Sequence, residues 1–150
     1  MNEAWILKPF HALTPEELYL ILQLRSMVFV VEQNCVFLDI DGKDDKCDHL
    51  FLRSGSQIIA CSRIFGPGIV YAEPCLSRVV THPDHRGTGA GKALLQKSME
   101  VMTDMFPGQP IRIGAQLYLK KFYESFGFVK AGDVYLEDGI EHIEMLRQPS

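Results

Sequence analysis

The sequence has no long apolar run and no cluster of basic residues. Charged Glu3 and Lys8 interrupt its first residues, which argues against a signal peptide or a membrane-spanning helix because both need an uninterrupted apolar stretch. The 15 Lys and Arg residues are outnumbered by 19 Asp and Glu residues. A nucleic-acid surface normally needs clustered positive charge. We therefore expect a cytoplasmic protein that binds neither nucleic acid nor a membrane.

The sequence also lacks cysteines and histidines at the spacings typical of metal ligands. The cysteines lie 12 to 14 residues apart, at Cys35, Cys47, Cys61 and Cys75. A zinc site normally uses closely paired cysteines, so we interpret these four as reduced thiols. No histidine has a partner at metal-ligand spacing, and no metal is predicted.

Neither a Ser/Pro-rich linker nor an internal repeat divides the chain, which has 150 residues and 47% apolar content. A chain of this length folds around a single core. We therefore expect one domain over residues 1–150. A homodimer is a reasonable expectation for a protein of this kind.

A glycine-rich loop lies between a β-branched run and a strongly patterned helix. Its residues are Arg86, Gly87, Thr88, Gly89, Ala90 and Gly91. Bare backbone N–H groups at the start of a helix bind phosphate oxygens, and the positive end of the helix dipole strengthens this binding. Arg86 adds a cation at the entrance. The loop therefore predicts a ligand that carries phosphate.

Two common nucleotide-binding motifs do not fit this loop. The Walker A motif needs Gly at position 86 and Ser or Thr at position 93, where the sequence has Arg86 and Ala93. The third glycine of a dinucleotide fingerprint would fall on Lys92 or Leu94. A nucleotide-binding protein is therefore the least favoured of our hypotheses.

Residues 86–91 do match the pattern (Gln/Arg)-x-x-Gly-x-(Gly/Ala), with glycines at Gly89 and Gly91. Residues 115–128 are rich in aromatic residues and end in Tyr-x-x-x-Gly-Phe, which begins at Tyr123. In this order, the two patterns resemble the GNAT acyltransferase superfamily, whose glycine loop holds the pyrophosphate of acetyl coenzyme A. Residues 25–33 and 137–142 resemble the ElaA group of that superfamily. The resemblance then spans nearly the whole chain.

Hydrophobic patterning predicts an α+β framework. Predicted strands are 4–7, 50–53, 58–65, 75–82, 111–115, 128–136 and 140–147. Thr14, Pro15 and Glu17 begin a long first helix that is expected to continue through Val31. The acidic loop 39–48 is expected to be mainly solvated. The resemblance adds an α/β/α three-layer GNAT fold, with a mixed sheet whose central parallel strands splay apart around the pantetheine arm.

The resemblance also assigns roles to residues of this chain. It implies that the amide of Val79 or a neighbour polarises the thioester carbonyl and that Tyr123 acts as the general acid. A core aromatic is the alternative interpretation of Tyr123. Gln116 stands where many relatives carry Asn, so its role is open. The residues expected at the coenzyme, besides the glycine loop, are Val79, Val80, Thr81, Gln116 and Phe122.

Arg25 and Glu32 lie seven residues apart on one predominantly apolar line of the predicted first helix. An unpaired charge on such a line is costly. Either both residues bind the acceptor, with Glu32 as the general base, or they belong to an internal polar network.

The favoured hypothesis is an acetyl-CoA-dependent N-acetyltransferase that acts by direct transfer to a primary amine. The acidic loop is a weaker candidate for attracting a cationic acceptor. A noncatalytic acyl-CoA sensor or interaction module is the alternative. Such a protein would keep the glycine loop but would not need Tyr123.

Overall fold

The computed structural model describes residues 3–149. The strands are β1 (Glu3–Pro9), β2 (Asp48–Ser54), β3 (Gln57–Phe65), β4 (Cys75–Thr81), β5 (Ile111–Gln116), β6 (Phe128–Glu137) and β7 (Ile140–Arg147). The α-helices are α1 (Pro15–Arg25), α2 (Ala90–Met105) and α3 (Lys120–Glu124). Within residues 3–149, no helix combines the length and the apolar content needed to cross a membrane.

The strands form one seven-stranded sheet in the order β1-β2-β3-β4-β5-β7-β6. Neighbouring strands are antiparallel except for β4 and β5, which are parallel and are joined by α2. The predicted strand, glycine loop, helix and strand therefore form a parallel crossover. The predicted α+β class with a mixed sheet is confirmed.

Strand β2 shows how both faces of the sheet are covered. Leu50 and Leu52 belong to the apolar cluster that contains α2, whereas Phe51 belongs to the cluster that contains Ile21 and Leu24 of α1. Successive side chains of a strand point to opposite faces. Helices α1 and α2 thus lie on opposite sides, which gives three layers.

The start of α1 follows the prediction from sequence. The Thr14 hydroxyl accepts a hydrogen bond from the Glu17 N–H at 3.1 Å, and the Glu17 carboxylate accepts one from the Thr14 N–H at 2.8 Å. Pro15 occupies the first turn. This capping box satisfies N–H groups that the helix leaves free, which fixes where the helix begins.

The end of α1 differs from the prediction. Regular α-helix stops at Arg25, and residues Ser26–Glu32 continue as a π-helix. A π-helix has more residues in each turn than an α-helix, so Glu32 is rotated away from the line that passes through Arg25. The prediction of one continuous helical line through Glu32 is wrong for this reason.

The predicted role of Arg25 in acceptor binding is also wrong. Arg25 is fully buried, at 0% exposure. Its Nε donates to the Asp39 carboxylate at 3.0 Å, its Nη1 to Asp44 at 2.7 Å, and its Nη2 to the Asp39 carbonyl at 3.0 Å. No face of the guanidinium is left for a substrate. The internal polar network, which was the other interpretation, describes this residue.

The same network corrects the expectation of a solvated acidic loop. Asp39 and Asp44 are buried. Arg63 of β3 donates to Asp41 at 2.8 Å and to Asp44 at 3.0 Å. A buried carboxylate needs a cationic or hydrogen-bonding partner, and these arginines lie far from the loop in the sequence. The loop is thereby held against the sheet.

Replacement of Asp44 by Asn should lower the free energy of unfolding by about 3 kcal/mol, because it leaves two buried guanidinium groups short of one negative charge. Urea unfolding measures this change. Asp45→Asn is the matched control, since Asp45 is the exposed neighbour, and we expect a change within about 0.5 kcal/mol. Equal losses in the two variants would contradict the assignment.

The network should also make the free energy of unfolding depend on pH in the acid range. Burial would raise the pKa of Asp44, but hydrogen bonds from Arg25 and Arg63 outweigh it and hold that pKa below its usual value. The pKa of Asp41 is lowered in the same way, chiefly by Arg63 against its burial.

Above about pH 5 these carboxylates are ionised in both the folded and the unfolded chain, so their stabilisation is fully present. Below about pH 4 the unfolded chain takes up protons first, and the free energy of unfolding should fall as the pH falls. Urea midpoints across this range test the expectation. Asp44→Asn should flatten the acid slope, and an unchanged slope would assign the effect to other carboxylates.

Candidate active site

Strands β4 and β5 touch only at their beginnings. Their single paired position is Cys75 with Arg112, after which β5 continues to pair with β7 alone. A cavity of about 860 Å³ lies in this gap, with Val79 of β4 and Ala115 of β5 among its lining residues. The expected splay between the central parallel strands is therefore present. It provides the space in which the other groups meet.

A bulge in β4 shapes one wall of the cavity. Ser77 pairs with Arg63 and Val80 pairs with Cys61, so Arg78 and Val79 together lie opposite the single residue between them on β3. Arg78 has a φ of +51°, which is strained for a residue with a side chain. A bulge leaves an extra residue outside the hydrogen-bonded ladder. The expected carbonyl-polarising amide at Val79 remains a prediction, now at a bulged position.

The cavity lining includes several of the residues expected at the coenzyme. These are Val79, Val80, Thr81, Arg86, Gly91, Gln116, Phe122 and Tyr123. The other members of the glycine loop, Gly87, Thr88, Gly89 and Ala90, lie at the surface beside the cavity rather than among its lining residues.

The glycine loop has the backbone that its sequence predicts. Gly87 and Gly89 have φ values of +79° and +84°, and a Cβ atom at either position would meet nothing within 4 Å. No side chain caps the start of α2, so its first N–H groups keep their capacity to donate. An uncapped helix start with open space in front of it fits a phosphate group.

Arg86 and Glu32 bind each other across the cavity mouth. Two guanidinium nitrogens of Arg86 donate to the two carboxylate oxygens of Glu32 at 2.7 and 2.6 Å. These hydrogen bonds lower the pKa of Glu32, and a carboxylate with a lowered pKa is a poorer proton acceptor near neutral pH. The predicted roles of Arg86 at pyrophosphate and of Glu32 as base both stay predictions, and the geometry weakens the second.

Tyr123 lies on the cavity wall and within the apolar core at once. It is 6% exposed and packs edge to face on Phe122 and Phe128, with ring centroids 5.4 and 5.8 Å away. Burial raises the pKa of Tyr123, so the phenol keeps its proton at neutral pH. A protonated phenol on the cavity wall is compatible with a proton donor, but burial makes it a weaker acid than a free tyrosine. The same packing satisfies the alternative interpretation as a core aromatic.

Gln116 joins the end of β5 to the end of the π-helix. Its side-chain amide exchanges two hydrogen bonds of 3.2 Å with the amide of Gln33. The resemblance places Asn at this position in many relatives. In this chain Gln116 instead links two walls of the cavity that lie far apart in the sequence.

The far half of the cavity holds side chains that the sequence analysis missed. Tyr71 from the β3–β4 loop, Tyr135 of β6 and His142 of β7 all line it. Both phenol oxygens lie close to Gly114 of β5: an added Cβ there would come within 2.7 Å of the Tyr135 oxygen and 3.3 Å of the Tyr71 oxygen. A glycine inside a strand often marks such a close approach.

A local signal could have found two of these residues. Asp138 and Gly139 both have positive φ values, +51° and +77°, in a two-residue turn. An Asp-Gly pair between strands is a strong hairpin signal that fixes the register. That register places Tyr135 directly opposite His142. Tyr71 belongs to an irregular loop, and no comparable signal exists for it.

The cavity also contains thiols, but no cluster of three or more potential metal ligands occurs within residues 3–149. Cys75 is buried and lines the cavity. Burial raises the pKa of the Cys75 thiol to about 12, so the thiolate, which is the nucleophilic form, is scarce at neutral pH.

Comparison with known proteins agrees with this geometry. The family described as Acetyltransferase (GNAT) domain matches residues 42–148. Protein ElaA of Escherichia coli is 41% identical over 138 residues, which cover 91% of this chain and 90% of ElaA. The crystal structure of Escherichia coli ElaA superposes with a TM-score of 0.91 at 37% identity, covering 98% of this chain and all (100%) of that one.

A crystal structure of an acyl-CoA N-acyltransferase from Pseudomonas aeruginosa superposes with a TM-score of 0.93. It is 36% identical, and the superposition covers 97% of this chain and 99% of that one. The fold is therefore that of the acyl-CoA N-acyltransferases. On its sequence and its structure, the chain belongs to the GNAT acetyltransferase family, within the ElaA group.

Proposed function

We propose that this protein transfers the acetyl group of acetyl-CoA to a primary amine by direct attack in a ternary complex. The observation that carries the proposal is the gap between β4 and β5. It connects the uncapped start of α2 to a second region lined by phenols, an imidazole and carboxylates. Phosphate binding at one end and amine binding at the other are what acetyl transfer from acetyl-CoA requires.

The residues that fit the coenzyme lie on the α2 side of the gap. The N–H groups of the glycine loop and the Arg86 guanidinium would hold the pyrophosphate. The bulged segment at Val79 would donate to the acyl carbonyl. When bound, acetyl-CoA supplies an activated carbonyl carbon and a thiolate leaving group.

Tyr123 would protonate the departing sulfur. A general acid must hold its proton until negative charge develops nearby. The phenol is protonated in the resting protein, and its place on the cavity wall, rather than the pKa that burial raises, supports this role.

Direct transfer is favoured over an acyl-enzyme. Cys75 is a thiol on the cavity wall, and the pKa of about 12 that burial gives it makes it a weak nucleophile at neutral pH. Cys35, the other thiol of the lining, donates its S–H to the Asp138 carbonyl at 3.1 Å. We therefore propose that the amine itself attacks the carbonyl carbon.

The acceptor side carries negative charge that suits an amine. Glu137 and Asp138 line the cavity there, and both residues are exposed to solvent. Exposed carboxylates raise the local concentration of a cationic amine through long-range attraction. The acidic loop 39–48 is a weaker candidate for this role, because Asp39, Asp41 and Asp44 are paired with arginines.

Tyr123→Phe should lower the turnover number by about 100-fold, because it removes the proton donor and keeps the aromatic packing. Free coenzyme A thiol released with a library of primary amines measures turnover, and calorimetry measures the affinity for acetyl-CoA. That affinity should change by less than about threefold, since the ring still fills its place in the core.

Tyr19→Phe is the control for this experiment, because Tyr19 is an exposed tyrosine on α1, at 69% exposure. Full turnover in Tyr123→Phe would remove Tyr123 from the mechanism. Acetyl-CoA binding by the wild-type protein with no thiol release for any amine would instead favour the noncatalytic sensor.

Arg86→Ala should weaken acetyl-CoA binding about tenfold, as expected for a charge-assisted hydrogen bond that is partly exposed. Glu32→Gln should tighten acetyl-CoA binding about threefold, because Arg86 then has no ion pair to break before it binds the coenzyme. Isothermal calorimetry at low salt measures both changes.

Lys92→Ala is the matched control, since Lys92 is an exposed cation in the first turn of α2. The effect of Glu32→Gln should vanish when Arg86 is also replaced by Ala. Equal weakening by Arg86→Ala and Lys92→Ala would show that only overall charge matters.

A further inference from the structure

His142 occupies a distinctive place in the cavity. It lies on β7, directly opposite Gln116 of β5 on one side and Tyr135 of β6 on the other. Its side chain lines the cavity while the residue is only 8% exposed. The β5 end that it faces is the end at which β4 and β5 have already separated. A titratable ring is thus placed where an acceptor would enter the gap.

The hydrogen bonds of the ring decide which nitrogen can act. His142 Nδ1 lies 2.7 Å from the Ile140 carbonyl oxygen. A carbonyl only accepts, so Nδ1 carries the proton of the neutral ring and Nε2 carries the lone pair. The ring also stacks on Tyr135, with centroids 5.7 Å apart and an interplanar angle of 30°. These contacts leave Nε2, which faces Glu137, as the nitrogen that can take up a proton.

A carboxylate is ready to stabilise the protonated ring. Glu137 Oε2 of β6 lies 3.5 Å from His142 Nε2. A proton that arrives on Nε2 converts this contact into an ion pair. Other titratable groups near this half of the cavity include Tyr71, Tyr135, Asp138 and Glu144, from the β3–β4 loop, β6, the β6–β7 turn and β7, and the thiols of Cys35 and Cys75.

Most of the neighbouring titratable groups are poorly suited to take the proton themselves. Burial raises the pKa of Tyr71 and of Tyr135, so both phenols already hold their protons. Glu144 is paired with Arg112 at 3.3 Å, and Glu32 is paired with Arg86 at 2.6 Å. Asp41, near the bulge, is held by Arg63 at 2.8 Å.

We propose that His142 Nε2 takes the proton from the acceptor ammonium and that Glu137 stabilises the resulting imidazolium. The inference rests on the proposed acetyl transfer to a primary amine, and it names the base that this transfer needs. Tyr71 and Tyr135 then border the nitrogen as neutral hydrogen-bonding phenols.

The proton and electron changes balance. His142 removes one proton from R–NH₃⁺ and leaves R–NH₂. The nitrogen lone pair forms the C–N bond, and the C–S bond breaks with its electron pair on sulfur. Tyr123 gives its proton to the sulfur and regains one from the nitrogen. His142 finally releases its proton to water, so the products are the amide, the coenzyme A thiol and one proton.

The test uses two amines of nearly the same shape. 2-Phenylethylamine is an ammonium ion at neutral pH, whereas O-benzylhydroxylamine is already uncharged there and needs no base before attack. An aromatic acceptor is chosen because Tyr71 and Tyr135 line this half of the cavity. Free thiol release with acetyl-CoA gives kcat and KM for each amine.

His142→Gln should lower kcat/KM for 2-phenylethylamine by about 100-fold, mostly through kcat. For O-benzylhydroxylamine the loss should stay below about fivefold. Glu137→Gln, which changes a positioning residue, should show the same selectivity with a smaller loss. His11→Gln is the control, because His11 is exposed and lies outside the cavity lining. Melting temperature and acetyl-CoA affinity should be unchanged in His142→Gln.

Equal losses for the two amines, or no loss for either, would overturn the assignment of His142 as the base while leaving acetyl transfer intact. If the wild-type protein releases no thiol with these two amines or with any amine of the library, acetyl transfer to a primary amine is refuted and the inference falls with it. The wild-type measurement thus separates failure of the function from failure of the base.

Discussion

The cavity depends on a buried set of ion pairs between three arginines and three aspartates. Arg25, Arg63 and Arg78 come from α1, β3 and β4, and Asp39, Asp41 and Asp44 come from one loop. Removal of one charged side chain from such a set is strongly destabilising, because its partner would keep a buried charge with no opposite charge beside it. The loop, the end of α1 and the bulge of β4 are consequently fixed relative to one another. Arg78 keeps its strained φ of +51° while its Nε donates to Asp39 at 2.8 Å.

Most of the fold could be predicted from the sequence because local signals agreed with the tertiary structure. The capping box at Thr14 began α1, the glycine loop began α2, and the alternation of apolar residues marked the strands. The winding of residues Ser26–Glu32 could not be predicted in this way. The same apolar residues would suit an α-helix or a π-helix, and tertiary contacts decide between them.

The candidate site likewise has one part that local sequence patterns indicate and one part that they do not. The proposed phosphate-binding half rests on consecutive residues, so the sequence pattern 86–91 was sufficient to suggest it. The proposed acceptor half is assembled from the β3–β4 loop, β5, β6 and β7. Arg25 and the acidic loop illustrate the limit: their partners lie 14 and more residues away, and no local pattern connects charges over that separation. His142 could have been placed opposite Tyr135 from the Asp-Gly turn, but its neighbour Tyr71 could not.

Gly114 has no Cβ atom, and this absence leaves room for the two phenols of the proposed acceptor half. A glycine inside a strand costs stability, roughly 0.5 to 1 kcal/mol relative to alanine. Here the vacant Cβ position lies 2.7 Å from the Tyr135 oxygen. One added methyl group would push that phenol outward, and the ring that moves is the one stacked on His142. The main chain of β5 thus limits the position of a phenol two strands away on β6 and, through it, of the imidazole on β7, and even the smallest side chain at position 114 would disturb both rings.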